Sequence, residues 1–486
     1  MSVHEVLDRT EPANFVRGGW KVGTGGVTAV TNPADPADRI ATVPDSTAGD
    51  VDAAVAVAGG AAPAWAATPG PARGDVLRRW NDLIGEHAEE LAALMTREMG
   101  KPLAESRGEI GRARLELDYA AGEATRLHGT TVPSRAAGQL VFTEREPLGV
   151  VAAITPWNFP AVAPIRKLEP ALVTGNTVVL KPADATPLTA LALAGLLRDA
   201  GLPDGVLGVV CGTGATAGAR LAEHPDVAAV SFTGSTAVGR GIAEKVARRL
   251  GSVQLELGGK NAAYVHSAHD LDRVVDQITG AAVQASGQRC TAISRVIVDD
   301  SLADDLVARL SARFSALRVG PGTATDTEVG PLISDEAVQK VAGYIGRGLA
   351  EGAVRTTPER DVPAGRYVAP VVLDHVRPEM AVARDEIFGP VLTVTRVSDV
   401  DEAIAVVNDG DYGLAAVVFA TDLDVSLRVA RATRTGMVHV NHGTTSQPHV
   451  PFGGVNASGV GEFSIGYTST EFFTSLKVVY LSPEVP

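Results

Sequence analysis

Residues 228–257 read AAVSFTGSTAVGRGIAEKVARRLGSVQLEL, and the change of pattern inside this stretch decides the fold. Ala228 to Phe232 is an apolar run of strand length, and Thr233-Gly234-Ser235 is a turn. Thr236 to Leu250 carries Val238, Ile242, Val246 and Leu250 four apart, which predicts a helix with one buried stripe. Val253 to Leu257 returns as a strand. Strand, tight turn, helix and strand complete half of a dinucleotide-type fold, and the turn reads either as a pyrophosphate site made of the free amides at the helix start or as an ordinary capped turn.

The alternation extends upstream. Val150 to Ile154, Thr177 to Leu180 and Val206 to Val210 read as strands and Leu188 to Leu197 as a helix, so an α/β fold with a helix-covered parallel sheet is expected. A second α/β block runs from about Gly259 to Val460, with helix-like Leu271 to Gln284 and strand-like Ile293 to Val298 and Val391 to Val394. Ala72 to Met99 reads as helical, with Leu77, Trp80, Leu83, Ile84, Leu91, Leu94 and Met95 at helical intervals. Two outlying strand-like segments, Gln139 to Glu146 and Phe472 to Leu481, are expected to pair into an arm, within the chain or between subunits.

At 486 residues the chain calls for more than one domain. Lys plus Arg number 43 against 57 Asp plus Glu, a net charge of −14 with no long basic run, which excludes a nucleic-acid partner. Charges stand where a secretory signal needs apolar residues, and no apolar run reaches membrane-spanning length, so a soluble cytoplasmic protein without a membrane partner is expected. Two cysteines exclude a disulfide framework and suit a reducing compartment.

Those two cysteines differ in setting. Cys211 ends the apolar run Val206 to Val210, where a small sulfur side chain packs. Cys290 lies in Gly287-Gln288-Arg289-Cys290-Thr291, a polar glycine turn, and reads either as a nucleophile or as a plain loop thiol. Two phosphate-loop patterns fail. Gly234 to Gly239 has the glycine spacing of a triphosphate loop but is followed by Arg240 and Gly241, and Gly212-Thr-Gly214-Ala-Thr-Ala-Gly218 is one residue too long for the dinucleotide fingerprint. His439, His442 and His449 suggest a metal, but strand positions three apart face opposite sides, so His439 and His442 are not expected to chelate together and no metal is assigned.

Six motifs then occur in order: Thr155-Pro156-Trp157-Asn158-Phe159-Pro160, Leu180-Lys181-Pro182-Ala183, Phe232-Thr233-Gly234-Ser235, Leu255-Glu256-Leu257-Gly258-Gly259-Lys260, Gly287-Gln288-Arg289-Cys290 and Glu386-Ile387-Phe388-Gly389-Pro390. With Pro451-Phe452-Gly453-Gly454 near the end, this set resembles the aldehyde dehydrogenase superfamily over almost the whole chain. The resemblance implies a discontinuous Rossmann-like cofactor domain (1–130 and 148–258), a catalytic α/β domain (259–460) and a small strand arm (131–147 and 461–486) that joins subunits into a homodimer or homotetramer.

It also implies the chemistry. Cys290 is the nucleophile, Asn158 and the backbone N–H of Cys290 hold the oxyanion, and Glu256 is the base that activates water. The plainer readings are a turn residue for Asn158 and a solvated strand-end acid for Glu256. For NAD, Lys181 and Asp184 fall at the adenosine ribose, Ser235 at the pyrophosphate, and Glu386 with Phe388 at the nicotinamide ribose and ring. Thr155, Pro156, Trp157, Ala183, Gly214, Gly218, Phe232, Gly234 and Leu257 complete the implied cofactor contacts. The Asp184 carboxylate favours NAD, while its shortness relative to the family's more usual Glu leaves NADP possible.

Arg166, Gln284 and Phe452 fall at implied substrate positions, and the loop His442 to Val450 at the substrate entrance. Arg166 stands where succinate-semialdehyde enzymes grip the substrate carboxylate, and where benzaldehyde-type relatives also carry Arg; its alternative role is an ion pair with a nearby acid such as Glu169. Gln284 replaces the second Arg of the semialdehyde enzymes, and Gly287 to Arg295 is similar to the corresponding segment of α-ketoglutarate-semialdehyde enzymes. The expected activity is NAD(P)-dependent oxidation of a small aldehyde, with an ω-semialdehyde as first choice and an aromatic aldehyde as second. Glu256 argues against a CoA-acylating relative, and Cys290 with Glu256 argues against a non-catalytic NAD-binding scaffold.

Overall fold

The computed structural model describes residues 4–7, 9 and 11–482. An eight-stranded sheet runs in the order Gly459–Val460, Ser252–Glu256, Ala229–Thr233, Val150–Ile154, Thr177–Lys181, Leu207–Val209, Ala13–Val16, Gly19–Val22. Its five central strands are parallel. Val150–Ile154 and Thr177–Lys181 are buried at every position, which is why they read as unbroken apolar runs rather than alternating ones. Chain order reverses between Val150–Ile154 and Ala229–Thr233, and the crevice beyond the carboxyl ends of strands at such a switch is where open α/β sheets bind ligands.

A second sheet of seven strands runs Val354–Arg355, Val371–Asp374, Val391–Val397, Ile293–Asp299, Asn261–Val265, Ala415–Phe419, Met437–Val440. The two outlying segments pair with each other inside the chain, Thr474 opposite Pro147 through Leu481 opposite Leu140, and Thr131–Val132 adds a third strand. Residues 483–486 of the expected arm, and 1–3, 8 and 10 of the expected cofactor domain, lie outside the described residues. Gly459–Val460, placed at the end of the catalytic segment from sequence, is instead an edge strand of the other sheet, paired with Leu255 and Glu256.

Two expectations are corrected. In the helix Thr236–Ala247, Ile242 and Val246 are buried, but Val238 is 53 % exposed and Leu250, beyond the helix with φ 57°, is 96 % exposed. Steps of four residues overshoot a turn by about 40° each, which carries Val238 off the buried face, while Leu250 is exposed because the helix has ended at Ala247. The run Ala72 to Met99 is two helices, Gly70–Glu86 and Ala88–Met99, broken at His87 (φ −104°, ψ 17°). The helix Leu103–Glu123, which the sequence reading left aside, packs against helix Val162–Val173 and forms a wall of the site.

Candidate active site

A cavity of about 550 Å³ lies at the switch point, and Cys290, Asn158 and Glu256 all line it. The thiol is held by a strained, clamped loop. After helix Leu271–Val283, Ala285 (φ 52°), Ser286 (φ 59°) and Gly287 (φ 73°) are left-handed in succession. Such non-glycine residues cost on the order of 1–3 kcal/mol each and persist only where the surroundings fix them. Here Ala285 N–H donates to Glu105, Ser286 Oγ to Gly330 O (2.9 Å), and Ile333 N–H to the buried Gln288 Oε1 (2.9 Å). Asn261 Nδ2 donates to the carbonyls of Cys290 (2.7 Å) and Ala292 (2.9 Å). Gly287 is required on space as well, since a Cβ there would lie 2.3 Å from Gly389 O.

Burial pushes the Cys290 thiol up to about 11, against the pull of Arg289. The resting group is therefore the thiol, and its activation needs a proton acceptor or added positive field. The buried Asn158 amide donates from Nδ2 to Gln288 O (2.8 Å), two residues before Cys290, which leaves its second N–H for another acceptor. Glu256 is not a solvated acid: it is buried at the end of strand Ser252–Glu256, and its Oε2 has no hydrogen-bond partner. Burial raises its pKa, opposed by the charges of Lys167 and Arg166. Lys167, its Nζ on Ser231 Oγ at 2.9 Å, is lowered by the same burial.

Pro156, Trp157, Gly234, Ser235, Leu257, Glu386 and Phe388 line the cavity on its cofactor side. Ser235 caps helix Thr236–Ala247, accepting from Val238 N–H, so the other amides of that first turn are free for an anion. Glu386 accepts from Gly259 N–H (2.9 Å), and a Cβ at Gly258 would lie 2.4 Å from its carboxylate, so close approach needs glycine there. Trp157 and Phe388 meet edge to face at 5.5 Å. These groups fit a pyridine dinucleotide: amides for phosphate, a carboxylate for ribose hydroxyls, aromatic walls for a ring.

Thr155, Phe232, Lys181, Ala183, Asp184, Gly214 and Gly218 are not among the lining residues. Thr155 and Phe232 stand just behind the wall as buried neighbours of lining residues, with Thr155 N–H on Lys181 O (3.1 Å). Lys181 ends strand Thr177–Lys181 with Nζ on Pro182 O (2.9 Å), beside the turn Gly214–Gly218, while Asp184 is exposed.

The same cavity is also lined by Arg112, Arg166, Arg289, Gln284 and Phe452, with Thr444, Thr445 and Ser446 from the expected entrance loop. Arg166 does not pair with Glu169. Its Nε and Nη2 grip Glu116 (2.9 and 2.8 Å), because helix Leu103–Glu123 packs Glu116 opposite it, and its guanidinium lies 4.7 Å from the Phe452 ring centroid. Glu169 stays buried with Oε2 unpartnered and its pKa well above the ordinary value, through burial and the Glu116 charge. Arg112 Nε shares Glu116 (2.7 Å) and leaves Nη2 without a partner, while Arg289 reaches Gln284 and Thr444 O (2.6 Å). Two guanidinium groups thus share the Glu116 carboxylate, and the third, of Arg289, has no carboxylate partner among its hydrogen bonds.

Sequence reasoning missed Glu105, Glu109, Arg112 and Glu116, which line or back the site from helix Leu103–Glu123. A signal existed: their spacing of four, three and four is that of one helix face, occupied by charges where a buried face would be apolar. The histidine argument also needs correction. The strand ends at Val440, Asn441 turns with φ 59°, and the His439 and His442 rings meet edge to face at 5.0 Å instead of facing apart. Among the described residues no three His, Cys, Asp or Glu side chains are grouped to hold a metal ion, and no helix is long and apolar enough to cross a membrane.

Residues 20–479 match the aldehyde dehydrogenase family. The chain is 39 % identical to the alpha-ketoglutaric semialdehyde dehydrogenase of Bacillus subtilis, over 98 % of this chain and 99 % of that one. It is 39 % identical to the NADP(+) succinate-semialdehyde dehydrogenase of Escherichia coli, over 96 % of each. The crystal structure of an NAD-dependent aldehyde dehydrogenase from Sinorhizobium meliloti superposes with a TM-score of 0.96 at 36 % identity, covering 99 % of this chain and 96 % of that one.

Proposed function

The chain belongs to the aldehyde dehydrogenase family and is an NAD(P)-dependent aldehyde dehydrogenase; from that premise we propose a hydrolytic enzyme acting on a short aldehyde with an anionic tail, an ω-semialdehyde. The observation that carries this reading is a single cavity lined by Cys290, Asn158 and Glu256 together with Arg112, Arg166 and Arg289.

Cys290 Sγ, once deprotonated, attacks the carbonyl carbon, with Arg289 and Arg166 as the cations that favour thiolate. The free N–H of Asn158 Nδ2 and the backbone N–H of Cys290 hold the resulting oxyanion. A bound nicotinamide supplies the hydride acceptor, and Ser235, Glu386 and Phe388 are the residues that would hold it. The thioester left on Cys290 is cleaved by water, whose proton goes to Glu256; a carboxylate raised by burial is a base matched to neutral pH. The arginines account for the substrate class, since a buried guanidinium favours a carboxylate over a neutral group. Two relatives named as semialdehyde dehydrogenases support the same reading.

The exposed Asp184 carboxylate supports NAD over NADP through repulsion of a 2′-phosphate. Among the described residues the cofactor domain is assigned to those up to 130 and to 148–258 with the edge strand Gly459–Val460, the catalytic domain to 259–458, and the arm to 131–147 and 461–482. The arm strand Thr474–Leu481 exposes Leu476, Val478, Tyr480 and Leu481, which supports a role in joining a cytoplasmic homo-oligomer. Initial rates of reduced-cofactor formation, with NAD and NADP, against carboxylate-bearing, aliphatic and aromatic aldehydes, with and without CoA, test the reading. CoA-independent turnover with a preference for NAD and semialdehydes is expected. An aromatic preference would overturn the substrate class, and dependence on CoA the hydrolytic step.

A further inference from the structure

Lys101 is 1 % exposed, a position where an ammonium group persists only when paired and hydrogen-bonded. It follows the end of helix Ala88–Met99 through Gly100 (φ 92°), and its side chain runs inward to an ion pair with the equally buried Glu109. Its Nζ also donates to the backbone carbonyl of Asn158 (2.9 Å) and sits 4.4 Å from the Phe159 ring centroid. The other Glu109 oxygen accepts from the N–H groups of Ala161 and Val162 (2.9 Å each), at the start of helix Val162–Val173, which carries Arg166 and Lys167. One buried pair therefore holds both ends of the four-residue loop 158–161.

We propose that Lys101 and Glu109 are positioning residues for oxyanion stabilisation, acting through the backbone of Asn158. The inference rests on Asn158 as the oxyanion holder. A hydrogen-bond donor stabilises a developing charge only when aimed where that charge will be, and a misplacement of about 1 Å costs about a hundredfold in rate. The Asn158 amide is fixed at its side-chain end by Gln288 O and at its backbone end by Lys101, so both ends set its direction. A purely structural pair would hold the helix start without any link to the rate of acylation.

The test is a cycle of Lys101→Met, Asn158→Ala and the double variant, read as the single-turnover rate of reduced-cofactor formation together with NAD affinity and Tm. Lys101→Met is expected to slow acylation about a hundredfold while NAD affinity stays within a few-fold. Lys101→Arg is expected to recover at least part of the rate, and the double variant to be no slower than Asn158→Ala alone. Should Lys101→Met fail to fold because Glu109 is left charged and buried, Lys101→Met with Glu109→Gln removes both charges and keeps an acceptor for the two amides. Multiplying effects in the double variant, or unchanged acylation in a folded Lys101→Met, would overturn the proposal alone. An Asn158→Ala enzyme with unchanged acylation would overturn the reading of Asn158 and the proposal with it.

Discussion

The catalytic wall of the cavity and its cluster of arginines are built in different ways. The first comes from strand ends and the turns that follow them: Thr155 to Asn158 after Val150–Ile154, Thr233 to Ser235 closing Ala229–Thr233, and Glu256 to Gly259 closing Ser252–Glu256. The second comes from side chains brought together by packing of distant elements: Arg112 and Glu116 from one helix, Arg166 from another, Arg289 from the nucleophile loop and Ser446 from near the C-terminus. The first is encoded in short motifs, with the Cys290 loop clamped from outside, and is tied to chemistry; the second is assembled wholly by tertiary packing and is tied to substrate choice. If that division holds, changes near the sulfur alter kcat for every aldehyde, and changes among the arginines raise KM for anionic aldehydes above all, with a smaller effect on kcat through the Cys290 thiolate.

The largest expected effect is at Cys290. Cys290→Ala should lower turnover by about 10⁴-fold or more for anionic and neutral aldehydes alike, because the covalent step is lost while the cofactor groups are untouched. Steady-state rates with NAD titrated by fluorescence check this, and a variant retaining substantial activity would break the comparison at its first term.

Next is Glu256→Gln, expected to slow steady-state turnover by about 10²–10⁴-fold. The wild-type rate of thioester hydrolysis should rise with pH, because the base works ionised and burial has raised its pKa, so it is protonated on the acid side and active above it. In the variant that acid limb should disappear. A pH profile of kcat for both forms is the measurement.

Arg166→Met sharpens the other half. With Arg112 still on Glu116, the fold is retained, and KM for succinate semialdehyde should rise about 10- to 100-fold, the size of a charge-assisted hydrogen bond of about 1.5–3 kcal/mol. KM for a neutral aliphatic aldehyde of similar length should not change. Arg112→Met should act in the same direction and by a comparable factor, since Arg112 also reaches Glu116, through Nε alone, and keeps Nη2 without a partner. Equal weakening of neutral and anionic substrates in both variants would dissolve the distinction between the two regions.

The same distinction explains what the sequence disclosed. Cys290, Asn158, Glu256 and Glu386 sit in short contiguous motifs at element ends, Asn158 and Glu256 after strands and Cys290 and Glu386 after helices, although the space that requires Gly258 and Gly287 is set by Glu386 and Gly389. The central strands were equally legible, since burial on both faces writes an unbroken apolar run. Arg166 was visible as a position, but its partner was not: Glu169 is the nearer acid in sequence, and only the packing of two helices brings Glu116 to it, 50 residues away. The stripe Glu105, Glu109, Arg112, Glu116 was passed over because amphipathic reasoning looks for apolar faces. The buried role of Lys101 had no local signature. His439 and His442 were misjudged because a strand was extended past Val440, where the chain turns at Asn441.

The most direct test of the central claim is rapid mixing of Glu256→Gln with NAD and succinate semialdehyde. The predicted result is a burst of about one equivalent of reduced cofactor per active site, an acyl adduct on the peptide containing Cys290, and then almost no further turnover. A variant that shows no burst and no adduct, or one that bursts and then turns over at the wild-type rate, would contradict the account of Cys290 as covalent nucleophile and Glu256 as hydrolytic base.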